Sequence, residues 1–176
     1  AGALNGDPMW IITTHPTVTP VSTNHNLMYV VTDDNELLSY TAGGGTETDI
    51  GTYAGASETA EGDGAAYYND YIYMCTSTDV SRYGPLSGTP TIATDYWVTT
   101  LGLTALVNTS YSNMRSVSRP NHAMHSHVDN KLYFCDYASG QGMIHFIRTT
   151  NTGTNDGSTY NALDLPFGYQ PIDIES

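Results

Sequence analysis

The sequence has very few basic residues: five Lys and Arg stand against eighteen Asp and Glu, which gives a formal net charge of -13. The basic set is Arg82, Arg115, Arg119, Lys131 and Arg148. Because a nucleic-acid site neutralises a row of phosphates with Lys and Arg, this scarcity argues against a nucleic-acid partner. An acidic surface also favours solubility, so the charge alone does not indicate a cationic partner.

Long apolar runs are missing as well. No segment approaches the ~18 consecutive apolar residues of a transmembrane helix, and no basic segment followed by an apolar one opens the chain. We therefore expect no insertion into a membrane. The sequence begins at Ala1 and ends at Ser176 without a helical or charged tail, and we expect both ends to be cuts in a longer protein.

What the sequence does contain is typical of β-structure. Fourteen Tyr, 17 Gly and many Thr favour half-buried strands joined by tight turns. A hydrophobic content of 39% is enough to build a core, which argues against disorder. The composition therefore predicts an all-β protein.

One phrase occurs three times and aligns without gaps on a central Tyr. It spans residues 26–32, 70–76 and 130–136, with Tyr29, Tyr73 and Tyr133 at its centre. Each copy opens with Asn or Asp, which favours a turn, and continues as a strand. Because the residues around the Tyr are apolar on both sides of the strand, we expect each strand to be covered on both faces.

The segments around each phrase predict three further strands per unit. A second strand follows a short polar turn at 36–40, 79–83 and 142–147. An upstream strand is clearest at 64–68 and 123–128, and a fourth strand is predicted at 50–53, 96–100 and 162–165. Residues 9–14 are interpreted as the outer strand of a preceding unit, and residues 171–174 as the start of a following one.

Four antiparallel strands per unit predict a partial β-propeller, with about three blades of a larger propeller. The blades span about 18–55, 62–107 and 120–167, and the ends belong to neighbouring blades. The aligned Tyr residues are 44 and then 60 residues apart, against about 40–50 residues for a blade. We place the excess between Leu101 and Pro120, as an insertion on one rim.

The repeated units resemble the blades of NHL-type and YVTN-type propellers, whose inner strand is followed by a turn and a second strand. The resemblance covers residues from about 20 to 170, and its motif is generic. The Trp-Asp dipeptide of WD40 blades and the Ser-x-Asp-x-Gly-x-Thr-Trp box of sialidases do not occur. This resemblance implies a fold and carries no function across.

Residues 79–90 and 163–171 are similar in style to propeller segments in structural proteins of tailed bacteriophages. That resemblance implies a virion or extracellular location. It also implies a role as a rigid spacer or host-surface contact, with protein subunits of a larger assembly or a host-surface glycan as partners.

Two kinds of metal site are open alternatives to the expectation that the protein has no cofactor. His125 and His127 lie at alternate positions of a predicted strand and so share one face, as a transition-metal site needs. The turn at residues 33–36 and the segment 151–157 offer oxygen ligands that suit Ca²⁺. Ordinary blade and turn chemistry accounts for both patterns without a metal.

The predicted function is a structural or binding module that makes protein or glycan contacts through its rim loops. The binding residues are placed in the insertion: Tyr111, Met114, Arg115 and Arg119. With Arg82, its two arginines are expected to form a cationic edge on an otherwise acidic chain. No catalytic residues are assigned, and the alternative is a carbohydrate-active enzyme, a glycoside hydrolase or lyase whose site is incomplete in this chain.

The two cysteines yield the first testable prediction. Cys75 and Cys135 both stand two residues after an aligned Tyr, and equivalent positions of neighbouring blades lie farther apart than the ~4.4–6.8 Å between Cα atoms that a disulfide allows. Titration of denatured, unreduced protein with a thiol reagent should therefore count two thiols. A count of zero would contradict both the prediction and the alignment behind it.

Overall fold

The computed structural model describes residues 6–14, 22–41, 45–55, 64–76, 79–102, 123–126, 131–138, 141–148 and 163–169. Within these ranges the chain forms twelve β-strands in three antiparallel sheets of four strands, one 3₁₀-helix and one π-helix. The all-β prediction is confirmed.

Each sheet takes its four strands in chain order. The first sheet contains β1 (Pro8–Ile12), β2 (Leu27–Thr32), β3 (Glu36–Thr41) and β4 (Glu47–Thr52). The second contains β5 (Ala65–Tyr68), β6 (Tyr71–Cys75), β7 (Val80–Gly84) and β8 (Thr91–Ala93). The third contains β9 (Ala123–Ser126), β10 (Lys131–Ala138), β11 (Gln141–Ile147) and β12 (Leu163–Asp164). The 3₁₀-helix Thr23–Asn26 precedes β2, and the π-helix Tyr96–Thr100 follows β8.

The strand order confirms that the three aligned phrases lie in three different sheets. They form β2, β6 and β10, which are the second strands of these sheets. Each is paired with the strand predicted to follow it, β3, β7 and β11 respectively. Cys75 and Cys135 accordingly lie in different sheets, and Cys75 is a buried thiol.

Two strand predictions are wrong. Residues 9–14 do not form the outer strand of a preceding unit, because β1 pairs with β2 and opens the first sheet, ten residues before the predicted start of the first blade at about 18. Residues 96–100 form the π-helix instead of a fourth strand. The turn at Pro85–Gly88 brings the chain back early, so that β8 already occupies the edge beside β7.

The second sheet is covered on both faces, as the apolar residues on both sides of β6 predict. Alternate residues of a strand point to opposite faces. Ile72 and Met74 join a core with Tyr29 and Val31 of the first sheet. Tyr71, Tyr73 and Cys75 join a second core with Leu132 and Phe134 of the third sheet. The second sheet therefore lies between the other two.

We call the face of a sheet that points to the next sheet along the chain its forward face, and the opposite face its rear face. The aligned Tyr29 and Tyr73 both lie on forward faces, whereas Ile72 of β6 and Phe134 of β10 lie on rear faces. Sheets approach one another most closely at their first strands, where β5 lies beside both β1 and β9. The three sheets are thus stacked in one repeated orientation with their first strands together.

Two methionines, one buried and one exposed, test the packing of the first sheet against the second. Met74 is fully buried between two sheets, whereas Met28 is 37% exposed. Met74→Ala leaves a cavity and should lower the free energy of unfolding by about 2–5 kcal/mol, while Met28→Ala should cost less than ~1 kcal/mol. Urea unfolding followed by circular dichroism measures both, and equal losses would contradict the packing described.

Candidate functional site

A buried pair of polar side chains links the first sheet to the second. His25, in the 3₁₀-helix before β2, places Nε2 2.8 Å from Oδ1 of Asp70. Both side chains are almost wholly buried, with 0% and 2% of their surface exposed. A buried carboxylate is costly unless it is hydrogen-bonded, so this contact fixes how the two sheets meet.

Ser22 completes a Ser-His-Asp series whose hydrogen bonds differ from those of a hydrolase triad. The backbone N–H of Ser22 donates to Nδ1 of His25 over 3.1 Å, so that nitrogen is an acceptor and Nε2 carries the proton toward Asp70. The Ser22 hydroxyl donates to the carbonyl of Leu86, although its oxygen is also 3.2 Å from Nδ1. With its proton committed to a carbonyl, Ser22 is not activated as a nucleophile.

Asp70 is part of a tight turn, and its carboxylate also makes the contact between the first and second sheets. Asn69 and Asp70 form the two-residue turn between β5 and β6, with φ of 44° and 73°. Both residue types tolerate positive φ, which hairpin turns of this kind require. The Asp70 carboxylate also accepts from the Ser87 hydroxyl and from the Ser87 N–H over 3.0 Å.

The turn after β7 is hydrogen-bonded to the backbone of Asp70. The N–H of Leu86 donates to the backbone carbonyl of Asp70 over 2.9 Å. Gly84 permits this approach, because a Cβ at that position would lie 2.8 Å from the same carbonyl oxygen, and its φ of +153° disfavours other residues. Asn24 donates to the Leu86 carbonyl over 2.9 Å, which ties the turn back to the first sheet.

A double-mutant cycle measures this link. His25→Ala, Asp70→Ala and the double variant should give a coupling of about 1.5–3 kcal/mol, because the hydrogen bond is buried and involves a charged group. The control cycle removes Tyr40 and Glu47, whose 2.7 Å contact lies within the first sheet at its surface, and it should give about 1 kcal/mol or less. Urea unfolding supplies all the values, and a smaller coupling for His25 and Asp70 than for the control would contradict the assignment.

A second buried carboxylate, that of Asp79, holds the π-helix. Its Oδ1 accepts from the N–H of Trp97 over 2.7 Å and from that of Val80 over 2.6 Å. Its Oδ2 accepts from the N–H of Val98 over 3.0 Å. The first N–H groups of a helix have no hydrogen-bond partner within the helix. The carboxylate of Asp79, the residue directly before β7, accepts from two of them. Trp97 is thereby fixed at the contact with the third sheet. Its ring packs edge-on against the ring of Phe134, with 4.9 Å between the two ring centroids.

Replacement of this cap gives a further prediction. Asp79→Asn keeps the shape but directs an amide toward N–H donors, and it should cost about 1–3 kcal/mol of unfolding free energy. The near-ultraviolet circular dichroism of the aromatic residues should weaken as Trp97 loses its fixed position. Asp49→Asn, at an exposed position of β4, is the control and should stay within ~0.5 kcal/mol of the wild type. An unchanged near-ultraviolet spectrum in Asp79→Asn would argue against the cap.

The half-buried Arg82 stacks on two tyrosines on the forward face of the second sheet. Its guanidinium carbon lies 4.1 Å from the ring centroid of Tyr71 and 3.9 Å from that of Tyr96. Such stacking stabilises a cation against aromatic faces. Burial raises the pKa of Tyr73 and of Tyr96 above the ordinary value, so both stay neutral beside it. Arg82 itself is half-buried, and the predicted cationic edge that it would form with Arg115 and Arg119 stays a prediction.

An acidic cleft lies where the chain before β1 meets the turn after β2. It is lined by Gly6, Asp7, Asp33 and Asp34. The Asp33 carboxylate accepts from the Asp7 N–H over 2.7 Å, so it serves the backbone. In the described part of the chain no three His, Cys, Asp or Glu side chains are grouped to hold a metal ion. The proposed calcium and transition-metal sites remain predictions.

The residues predicted to bind partners fall outside the described ranges. This applies to Tyr111, Met114, Arg115 and Arg119, and to His127 of the proposed metal pair. His125 belongs to β9, of which the structure describes the backbone. Sequence reasoning missed His25, Asp70 and Asp79 as buried polar contacts. For Asp70 the sequence showed only an Asp in a turn between apolar strands, which is also the pattern of an ordinary turn residue.

Comparison with known proteins gives no identification. No protein-family model matches the sequence, and no curated protein matches it significantly. Across the described residues there is no helix long and apolar enough to cross a membrane.

Proposed function

We propose that the chain is a structural or binding module, built as about three blades of a β-propeller. In this proposal it belongs to a virion or extracellular assembly and contacts protein subunits or a host-surface glycan. The supporting observation is the stacking of three four-stranded sheets, forward face to rear face, with β1, β5 and β9 together. A propeller blade needs this arrangement, since its sheets pack face to face around an axis.

The buried polar groups favour a scaffold over a catalyst. A catalytic site needs a nucleophile, acid or base that can reach a substrate. The imidazole of His25 and the carboxylates of Asp70 and Asp79 are instead buried and bonded to backbone, to the Ser87 hydroxyl or to each other. They join sheets and helix, which is what a rigid spacer requires.

The proposed contact surface is the segment between the π-helix and β9. This segment follows Gly102, directly after a helix that Asp79 holds in place, and precedes Ala123, the first residue of β9. Binding residues concentrate on loops carried by rigid elements. Tyr111, Met114, Arg115 and Arg119 combine aromatic, apolar and cationic groups of the kinds that dominate binding energies.

The test replaces residues 108–117 by a short Gly linker and measures binding to an array of bacterial cell-surface glycans. Binding should fall at least about tenfold, because hot-spot residues are removed, while the far-ultraviolet circular dichroism stays that of a β-protein. The control replaces residues 57–62, between the first and second sheets, in the same way. Loss of binding in the control alone would contradict the assignment, and cleavage of an array glycan would favour the enzyme alternative.

A further inference from the structure

We draw no further inference here: the strongest candidate, the exposed surface patch of Phe167 and Tyr169 in the turn that follows β12 of the third sheet, carries nothing, because nothing in the structure shows what covers it.

Discussion

The two-sided burial of the second sheet is the constraint on which the rest of the structure depends. Its central strand β6 has side chains at 0–1% exposure at four of five positions and 8% at the fifth. A single sheet with apolar groups on both faces cannot be stable in water, because each face needs a partner layer. The first and third sheets supply those layers, and the fold follows from stacking them in chain order.

Polar contacts then fix how the apolar layers meet. Apolar burial is not directional, so by itself it tolerates small shifts of one sheet over another. The hydrogen bond between His25 and Asp70 is directional, and it joins the 3₁₀-helix before β2 to the turn before β6. The bonds to Asp79 are also directional. They hold the π-helix in place, and with it Trp97, whose ring contacts Phe134 of the third sheet. A buried carboxylate that loses its partners is costly, which makes misaligned stacking unfavourable.

Much of the fold could be predicted from the sequence because its strongest signal is local and repeated. The phrase around Tyr29, Tyr73 and Tyr133 has apolar groups on both faces of a strand, and it predicted the three central strands and the hairpins after them. Strand pairing at the ends of a unit depends on partners distant in sequence, which is why β1 was assigned to another unit. Residues 96–100 have strand-forming side chains, yet they form a helix in which the N–H groups of Trp97 and Val98 donate to the Asp79 carboxylate.

The buried contacts were harder to predict than the strands. His25 and Asp70 are 45 residues apart in the chain, and only the packing of two sheets brings them together. Nothing in the local pattern distinguishes such an Asp from an ordinary turn residue. The stacking of Arg82 between Tyr71 and Tyr96 was likewise hidden in the sequence, since it depends on the return of the chain after β8.

Hydrogen exchange measured by mass spectrometry tests the central role of the second sheet most directly. Amides that exchange only through global unfolding mark the most stable unit of a protein. The account predicts that β6 exchanges most slowly of all strands, because opening it requires both neighbouring sheets to separate. The outer strand β4 should exchange much faster. Exchange of β6 at the rate of β4 would contradict the claim that the structure is built around the two-sided burial of the second sheet.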